Sequence, residues 1–352
     1  IQDTINNQIK SICIKSAEAN APKGNKKKKI GDFYTAGMDS TTINKLGIQP
    51  LKNEILKINA VTDLPSLLQT LAHFHTTGLA PAFNFYVSQD DKISSKNALF
   101  LSQGGLGLGE RSYYFDTDAN ATNIRAEYLK HIAKIFELTG ENTEKSRSNA
   151  ALILKLETDL AKNSRKLEDM RDPIKNYNKM TLAQLNALTS NINWNTMFTN
   201  LKIKDADTII VGQPEFYKGL NASLKNYSVE DWKIYLKWDL FNSYAVNLNT
   251  AIEKQNFYFY FRHLKTLKFW WMIYSMKGFQ VVLVLVFCCL AKAGSGLDML
   301  GLGPSAALAP LAGLAGGGSG GLGGLEKLAK LGGMGGLNGL SGLSGLGGIG
   351  GL

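Results

Sequence analysis

The sequence predicts a mainly α-helical protein: a helical lobe with one short β-hairpin, followed by an apolar segment and a glycine- and leucine-rich low-complexity tail. Apolar residues recur at every third or fourth position in the first part of the chain, which is the spacing that lines one face of a helix. The composition then changes abruptly, which divides the chain into residues 1–265, 266–292 and 293–352. Strands do not alternate with helices, so a doubly wound α/β sheet is not expected.

Four apolar stripes predict amphipathic helices within residues 1–265. They are Leu64, Leu67, Leu68, Leu71 and Phe74; Ile124, Tyr128, Ile132 and Phe136; Leu152, Leu156 and Leu160; and Trp232, Leu236, Leu240, Tyr244, Leu248 and Ile252. The last stripe is the longest and predicts one continuous helix, which Ser228 and Asp231 cap at its start. Thr181 and Gln184 have capping-box spacing, and Gly140 marks the end of the second helix.

One stretch favours strands instead. Phe83 to Val87 and Ala98 to Leu101 are short aromatic and apolar runs, separated by a polar connection that contains Asp90 and Asp91. This pattern predicts a β-hairpin. Thr208 to Val211 predicts a further short strand.

The second and third segments differ from the first in composition. Phe269 to Leu290 comprises 22 residues with one charge, Lys277, and as a helix it would span about 33 Å, enough for a bilayer core. Two alternatives stay open: a membrane anchor, or an out-of-frame or artificial run. Of the 36 glycines, 23 follow residue 293, where neither a helical nor a strand period is present. We expect little packed structure there, because ordering glycine is entropically costly.

Composition also limits the class of protein. Hydrophobic residues make up 44% of the chain, which is enough for a large core and excludes disorder throughout. Three cysteines exclude a disulfide-built scaffold. The chain begins at Ile1 without an apolar leader, so we expect any signal peptide to have been removed or not included.

Histidines offer no zinc motif. The four are His73, His75, His131 and His263. None lies in a His-Glu-x-x-His pattern, whose spacing places two imidazoles on one face of a helix. His73 and His75 are two residues apart, so on a helix they point about 200° apart and cannot chelate together. We predict no metal ligand and no catalytic residue in this chain.

Three other features have structural explanations that outweigh functional ones. Cys13, Cys288 and Cys289 form no Cys-x-x-Cys site. The glycine-rich stretch Gly104 to Gly109 departs from the dinucleotide pattern, and we interpret it as a turn loop. The lysine run Lys26 to Lys29 is interpreted as a solvated loop that leads into a helix, and no nucleic-acid partner is predicted, because aromatic residues do not accompany it.

Three stretches together carry a family resemblance. They are IGDFYTAGMDSTTINKLGIQPL from Ile30 to Leu51, QGGLGLGERSYY from Gln103 to Tyr114, and RDPIKNYNKMTLAQL from Arg171 to Leu185; the hairpin NFYVSQDD from Asn84 to Asp91 fits the same pattern. In this order, the sequence resembles the N-terminal, non-catalytic half of the neprilysin and endothelin-converting-enzyme family of zinc metallopeptidases. The resemblance covers about residues 1–260, and the paucity of cysteine is more similar to bacterial secreted members.

The resemblance implies a largely helical lobe that covers a chamber and limits substrates to short peptides. The zinc and catalytic motifs of the family lie in its C-terminal half, and none is present in this sequence. The family's N-terminal segment also carries an arginine that contacts the substrate carboxylate, whereas no arginine lies between Ile1 and Ile30. Substrate-binding residues are therefore not assigned, and the resemblance implies a periplasmic or secreted location.

We therefore expect a partial zinc-dependent oligopeptide endopeptidase that supplies the covering lobe only and is inactive alone. Its expected partners are peptide substrates and a missing catalytic lobe, with a membrane as a further partner if Phe269 to Leu290 is an anchor. One alternative is a catalytically inactive module that binds peptides or is tethered to a membrane. Another is a non-functional product of a truncated or frameshifted reading frame.

Overall fold

A computed structural model describes residues 2–204, 206 and 208–262. The predictions for His263, Cys288, Cys289, the apolar segment and the tail lie outside the described residues. Within them, the predicted mainly α-helical lobe is confirmed.

The described residues form thirteen α-helices. They are α1 (Gln2–Glu18), α2 (Lys26–Met38), α3 (Ser40–Leu46), α4 (Lys52–Asn59), α5 (Leu64–Thr76), α6 (Ser112–Phe115), α7 (Ala119–Leu138), α8 (Thr143–Lys162), α9 (Leu182–Leu188), α10 (Trp194–Asn200), α11 (Pro214–Asn226), α12 (Val229–Tyr244) and α13 (Thr250–Arg262). Short 3₁₀ helices cover Gln49–Leu51, Asp169–Arg171 and Ala245–Asn247.

One sheet holds the four strands β1 (Phe83–Gln89), β2 (Asn97–Gln103), β3 (Asn178–Met180) and β4 (Ile209–Val211). Their order is β1-β2-β4-β3. The predicted hairpin is confirmed as the antiparallel pair of β1 and β2, and the strand expected at Thr208 to Val211 is β4, which runs parallel to β2. Strand β3 was not expected from the sequence; it pairs antiparallel with β4.

Local capping chemistry sets several helix boundaries. At α9, the backbone N–H of Gln184 donates to Thr181 Oγ1 over 3.2 Å, and Thr181 N–H donates to Gln184 Oε1 over 2.9 Å. At α12, Ser228 and Asp231 exchange the same pair of bonds. Both predicted caps are confirmed, and each satisfies backbone donors that have no partner within the helix. Gly140 follows α7 with a φ of 104°, a conformation that favours glycine.

The prediction of one continuous helix from Trp232 to Ile252 is wrong. The helix ends at Tyr244, and Leu248 is extended, with φ −92° and ψ −165°. A new helix, α13, begins beyond Asn249, whose side-chain oxygen accepts the backbone N–H of Ile252 over 3.0 Å. The asparagine cap competes with helix continuation, so the apolar period runs on across two helices that meet at a turn.

The lysine run is also placed differently from its prediction. Lys26 to Lys29 form the first turn of α2 rather than a loop before it, and all but half-buried Lys28 are exposed. Asn25 caps this helix by accepting the backbone N–H of Lys27 over 2.9 Å. The cap lies one residue before the run, so the lysines belong to the helix.

A single large hydrophobic cluster lies between the sheet and helices α5, α7, α8, α10, α11, α12 and α13. Trp194, Trp232 and Trp238 are among its largest fully buried side chains. By contrast, α1 and α2 pack chiefly against each other. The lobe therefore has a dense centre and an N-terminal helical hairpin, residues 2–38, with fewer contacts to that centre.

Candidate functional site

The glycine-rich loop between β2 and α6 lies against the helical core. Gly105 has a φ of 75°, and a Cβ there would lie 2.7 Å from Ala82 Cα. A Cβ on Gly107 would collide with the hydroxyl of Tyr128. Only glycine permits this close approach, and the geometry supports a structural turn rather than a phosphate-binding loop.

Tyrosine hydroxyl groups from the core form hydrogen bonds with the backbone of the glycine-rich loop. Tyr235 Oη donates to the carbonyl of Gly105 over 3.0 Å, and Tyr260 Oη donates to the carbonyl of Gly107 over 3.3 Å. The backbone N–H of Leu108 donates to Tyr114 Oη over 3.1 Å. The polar backbone of the loop is thus bonded to side chains of α6, α12 and α13.

A buried carboxyl group lies below the loop. Glu157 is 1% exposed and accepts from Tyr114 Oη over 2.6 Å and from Tyr128 Oη over 2.9 Å. The indole N–H of Trp238 donates to Tyr128 Oη over 3.1 Å. We call Tyr114, Tyr128, Glu157 and Trp238 the Glu157 cluster. It joins the successive helices α6, α7 and α8 to α12, which is distant from them in sequence.

Burial controls the ionisation of this cluster. Desolvation raises the pKa of Glu157 to about 7, although the hydrogen bonds from Tyr114 and Tyr128 act in the opposite direction. Burial, together with the nearby carboxylate, raises the pKa of both tyrosines well above 10. Asp239 is similar: burial raises its pKa to about 7, and its Oδ2 has no hydrogen-bond partner among the described residues.

This arrangement suits positioning rather than catalysis. A catalytic carboxyl group must reach a substrate proton, whereas Glu157 is enclosed and bonded to two phenol hydroxyls. Its chemical role is to bind the tyrosines that fix the glycine-rich loop against α7 and α8.

The histidines are placed apart, as the sequence predicts for His73 and His75. His73 Nε2 lies 2.7 Å from Glu54 Oε2 and 2.9 Å from Lys57 Nζ. His75 lies on the opposite side of α5, where its ring centre is 4.5 Å from that of Phe83. Burial lowers the pKa of His75 to about 3, so its imidazole is neutral at physiological pH.

His131 is equally enclosed. Its ring stacks on Phe259 at 4.6 Å between centres with 7° between planes, and burial lowers its pKa to about 3. Within residues 2–204, 206 and 208–262, no group of three or more His, Cys, Asp or Glu side chains is arranged to hold a metal ion.

The remaining candidates are structural in the part of the chain that the structure describes. Cys13 is 1% exposed within α1, and burial raises the pKa of its thiol. At the start of α2, Lys28 forms an ion pair with Asp32 over 2.7 Å. Among these same residues, no helix is both long and apolar enough to cross a bilayer.

Sequence reasoning missed the Glu157 cluster, although one signal was present. Glu157 lies four residues after Ile153 and three before Leu160, on the buried face of α8. A carboxyl group within an apolar stripe is costly unless it is hydrogen-bonded. That position predicts a buried polar partner but does not identify it.

Comparison with known proteins places this fold in a family. The sequence model described as Peptidase family M13 matches residues 1–268. Endothelin-converting enzyme 1 of Mus musculus is 30% identical over 241 residues, which cover 64% of this chain and 31% of that protein. An endothelin-converting enzyme homolog of Locusta migratoria is 30% identical over 253 residues, covering 66% and 34% respectively.

A solved structure supports the same assignment. Zinc metalloprotease Zmp1 of Mycobacterium tuberculosis, in its open state, superposes with a TM-score of 0.70 at 29% identity, covering 75% of this chain and 41% of that one. The chain spans about a third of the length of the curated relatives it matches. The family match covers most of the chain and coincides with the described lobe, so this protein belongs to peptidase family M13, in the neprilysin and endothelin-converting-enzyme group.

Proposed function

We propose that this chain supplies the chamber-covering lobe of a zinc-dependent oligopeptide endopeptidase. Zinc and the catalytic residues would come from a C-terminal half of the family type, which this sequence does not include. The observation that carries the proposal is the agreement between the family match over residues 1–268 and the fold similarity to Zmp1. In this role the lobe contributes chamber wall and limits the size of the peptides that enter.

The surface of the N-terminal hairpin supports an association with a second lobe. Ile5, Ile12, Phe33 and Met38 are large apolar side chains on α1 and α2, between 38% and 56% exposed. Tyr258 and Phe261 at the end of α13 are 46% and 38% exposed. Exposed apolar side chains grouped on one element are typical of an interaction surface.

The proposed setting is extracytoplasmic, with short peptides as substrates. The low cysteine content agrees with a lobe that folds without disulfides. The packed core of the described lobe supplies its stability instead.

A complementation experiment tests the proposal. The full chain, purified with zinc present, should hold no stoichiometric zinc and cleave no peptide. Addition of a separately produced C-terminal half from a bacterial M13 relative should restore chelator-sensitive cleavage of short peptides. Ile12→Asp should weaken this restoration, whereas Lys52→Glu, at an exposed position on α4, should not.

Two outcomes would contradict the proposal. Stoichiometric zinc together with chelator-sensitive cleavage by the chain alone would show that the metal site lies in this sequence. Failure of any matched C-terminal half to bind the chain would show that the lobe does not act as a cover.

A further inference from the structure

An open groove of about 730 Å³ lies beside the sheet. All three residues of β3 line it, and α9 and α11 form its other walls. Because the strand order is β1-β2-β4-β3, β3 is an edge strand, with one side paired to β4. An edge strand presents backbone N–H and C=O groups that can pair with another extended chain. We call this the β3 groove.

The polar walls of the β3 groove are already fixed by internal hydrogen bonds. Asn178 Nδ2 donates to the carbonyl of Val211 over 3.0 Å. Asn221 Oδ1 accepts the backbone N–H of Asn191 over 2.8 Å. The walls are therefore held in place before any ligand binds, which lowers the entropy cost of binding.

The charges that line the β3 groove are positive. Lys179 and Lys218 are exposed lysines in its lining, and no carboxylate is part of that lining in the described residues. The carboxylate oxygen that pairs with Lys179 is Asp90 Oδ2, at the long distance of 3.8 Å. The lining also includes the apolar side chains of Met180 and Leu188. This combination is complementary to a chain that carries both carboxylates and apolar side chains.

The length of β3 limits the size of the occupant. Three residues at about 3.3 Å each give roughly 10 Å of pairing edge, which suits a short peptide. We propose that the β3 groove binds a short, extended acidic peptide as an added strand beside β3, with Lys179 and Lys218 contacting its carboxylates. Strand addition of this kind draws affinity from backbone hydrogen bonds and specificity from alternate side chains. The inference does not depend on the covering role proposed above.

Fluorescence anisotropy of the full chain with a labelled Glu-Val-Glu-Val-Glu peptide tests the proposal. Lys179→Gln with Lys218→Glu should weaken binding by about tenfold; glutamine at 179 avoids a second carboxylate beside Asp90. The control Lys52→Glu reverses the charge of an exposed lysine on α4, outside the β3 groove, and should leave binding unchanged. The replaced side chains of Lys179, Lys218 and Lys52 are exposed, and thermal unfolding of each variant checks that it remains folded.

Two further peptides separate strand addition from simple charge attraction. A version with N-methyl groups on alternate residues keeps every charge but loses backbone donors, and it should bind much more weakly. A Lys-Val-Lys-Val-Lys peptide should bind the parent chain poorly. The proposal is overturned if the acidic peptide does not bind, if Lys52→Glu weakens it equally, or if N-methylation has no effect.

Discussion

The Glu157 cluster and the N-terminal hairpin show two ways in which this lobe uses its apolar and polar residues. In the cluster, a carboxyl group 1% exposed is bonded to two tyrosines that are themselves at most 5% exposed. In the hairpin, Ile12 is 56% exposed and Phe33 is 38% exposed. The cluster is complete within the described lobe, whereas the hairpin presents apolar surface outward.

This difference indicates which region contributes most to the stability of the fold and which is available for association. Removing a buried, hydrogen-bonded group leaves both a cavity and unpaired polar atoms, so the centre should be sensitive to substitution. Exposed apolar groups contribute little to the fold of the isolated chain. The hairpin should therefore tolerate changes that the centre does not, and four experiments test this contrast.

The largest effect is expected for Trp238→Ala. The indole is 1% exposed, and its N–H donates to Tyr128, which in turn binds Glu157. Loss of a buried aromatic side chain typically costs about 3–5 kcal/mol. We expect the free energy of unfolding, measured by urea denaturation, to fall by that amount.

A conservative variant separates packing from hydrogen bonding at this position. Trp238→Phe keeps a ring but removes the N–H donor, so the expected loss attributable to hydrogen bonding is about 1 kcal/mol. If Trp238→Ala lowered the free energy of unfolding no more than Ile12→Ala in the hairpin does, the predicted difference in sensitivity between the two regions would be wrong.

The second prediction concerns the pH dependence of Glu157. Its pKa is 4.5 in the unfolded chain and about 7 in the fold, so between these values the folded state binds more protons. Stability from this group is present below about pH 4.5 and is lost as pH rises through about 7. Glu157→Gln cannot titrate. Its stability relative to the parent should therefore rise by about 3 kcal/mol over this range, since one pKa unit is about 1.4 kcal/mol.

The comparison of variant with parent is essential here because buried histidines act in the opposite direction. Burial lowers the pKa of His75 and His131 to about 3, so they add stability as pH rises toward about 6.5. In the parent, the contributions of Glu157 and of the two histidines to the pH dependence of the unfolding free energy therefore partly cancel. The difference in unfolding free energy between Glu157→Gln and the parent isolates the contribution of Glu157. A difference that stays constant from pH 4.5 to 7.5 would show that the carboxyl group is ionised in the fold.

The spacing of apolar residues in the sequence predicted those helices whose buried face is one continuous apolar stripe. Helices α5 and α7 follow from their apolar spacing, because each buries its stripe against the common core. The end of α12 did not follow from its stripe, since the chain bends where Asn249 caps the next helix and Asn44 Oδ1 accepts the N–H of Thr250. The same spacing of apolar residues arises whether they lie on one helix or on two successive helices, so the spacing alone does not locate the helix end.

The sheet and the Glu157 cluster depend on partners that are distant in sequence. The edge strand β3 is three residues long and pairs Asn178 with Val211, so no alternation within it signals a strand. The cluster joins Tyr114 to Glu157 and Tyr128 to Trp238. Such pairs are set by helix packing, which a single sequence does not encode locally.

The third prediction compares two crowded glycines. A Cβ at Gly107 would collide with Tyr128 Oη in the cluster, and one at Gly31 would collide with the carbonyl of Ser16 in the hairpin. Overpacking typically costs about 1–3 kcal/mol. Gly107→Ala should lower the free energy of unfolding by this amount, whereas Gly31→Ala should separate α1 from α2 with little effect on global unfolding.

A thiol probe distinguishes the local event from the global one. Cys13 is buried in α1, whose main neighbour is α2. In a background with Cys288→Ser and Cys289→Ser, Gly31→Ala should increase the rate of Cys13 labelling by a thiol reagent, and Gly107→Ala should not. Equal labelling in the two variants would mean that the hairpin and the centre open together.

The smallest effect on stability is expected from Ile12→Ser combined with Phe33→Ser. Both side chains are exposed, so the free energy of unfolding should change by no more than about 0.5 kcal/mol. The same substitutions should reduce hydrophobic-dye binding and self-association, because they remove apolar surface that α1 and α2 present outward. Sedimentation velocity and dye fluorescence measure both quantities, with Leu167→Ser as a control for an exposed apolar residue outside the hairpin. If the control lowers dye binding as much as the hairpin variant does, the apolar surface is spread over the lobe. If the hairpin variant unfolds at a clearly lower urea concentration than the parent, the hairpin contributes to the stability of the centre.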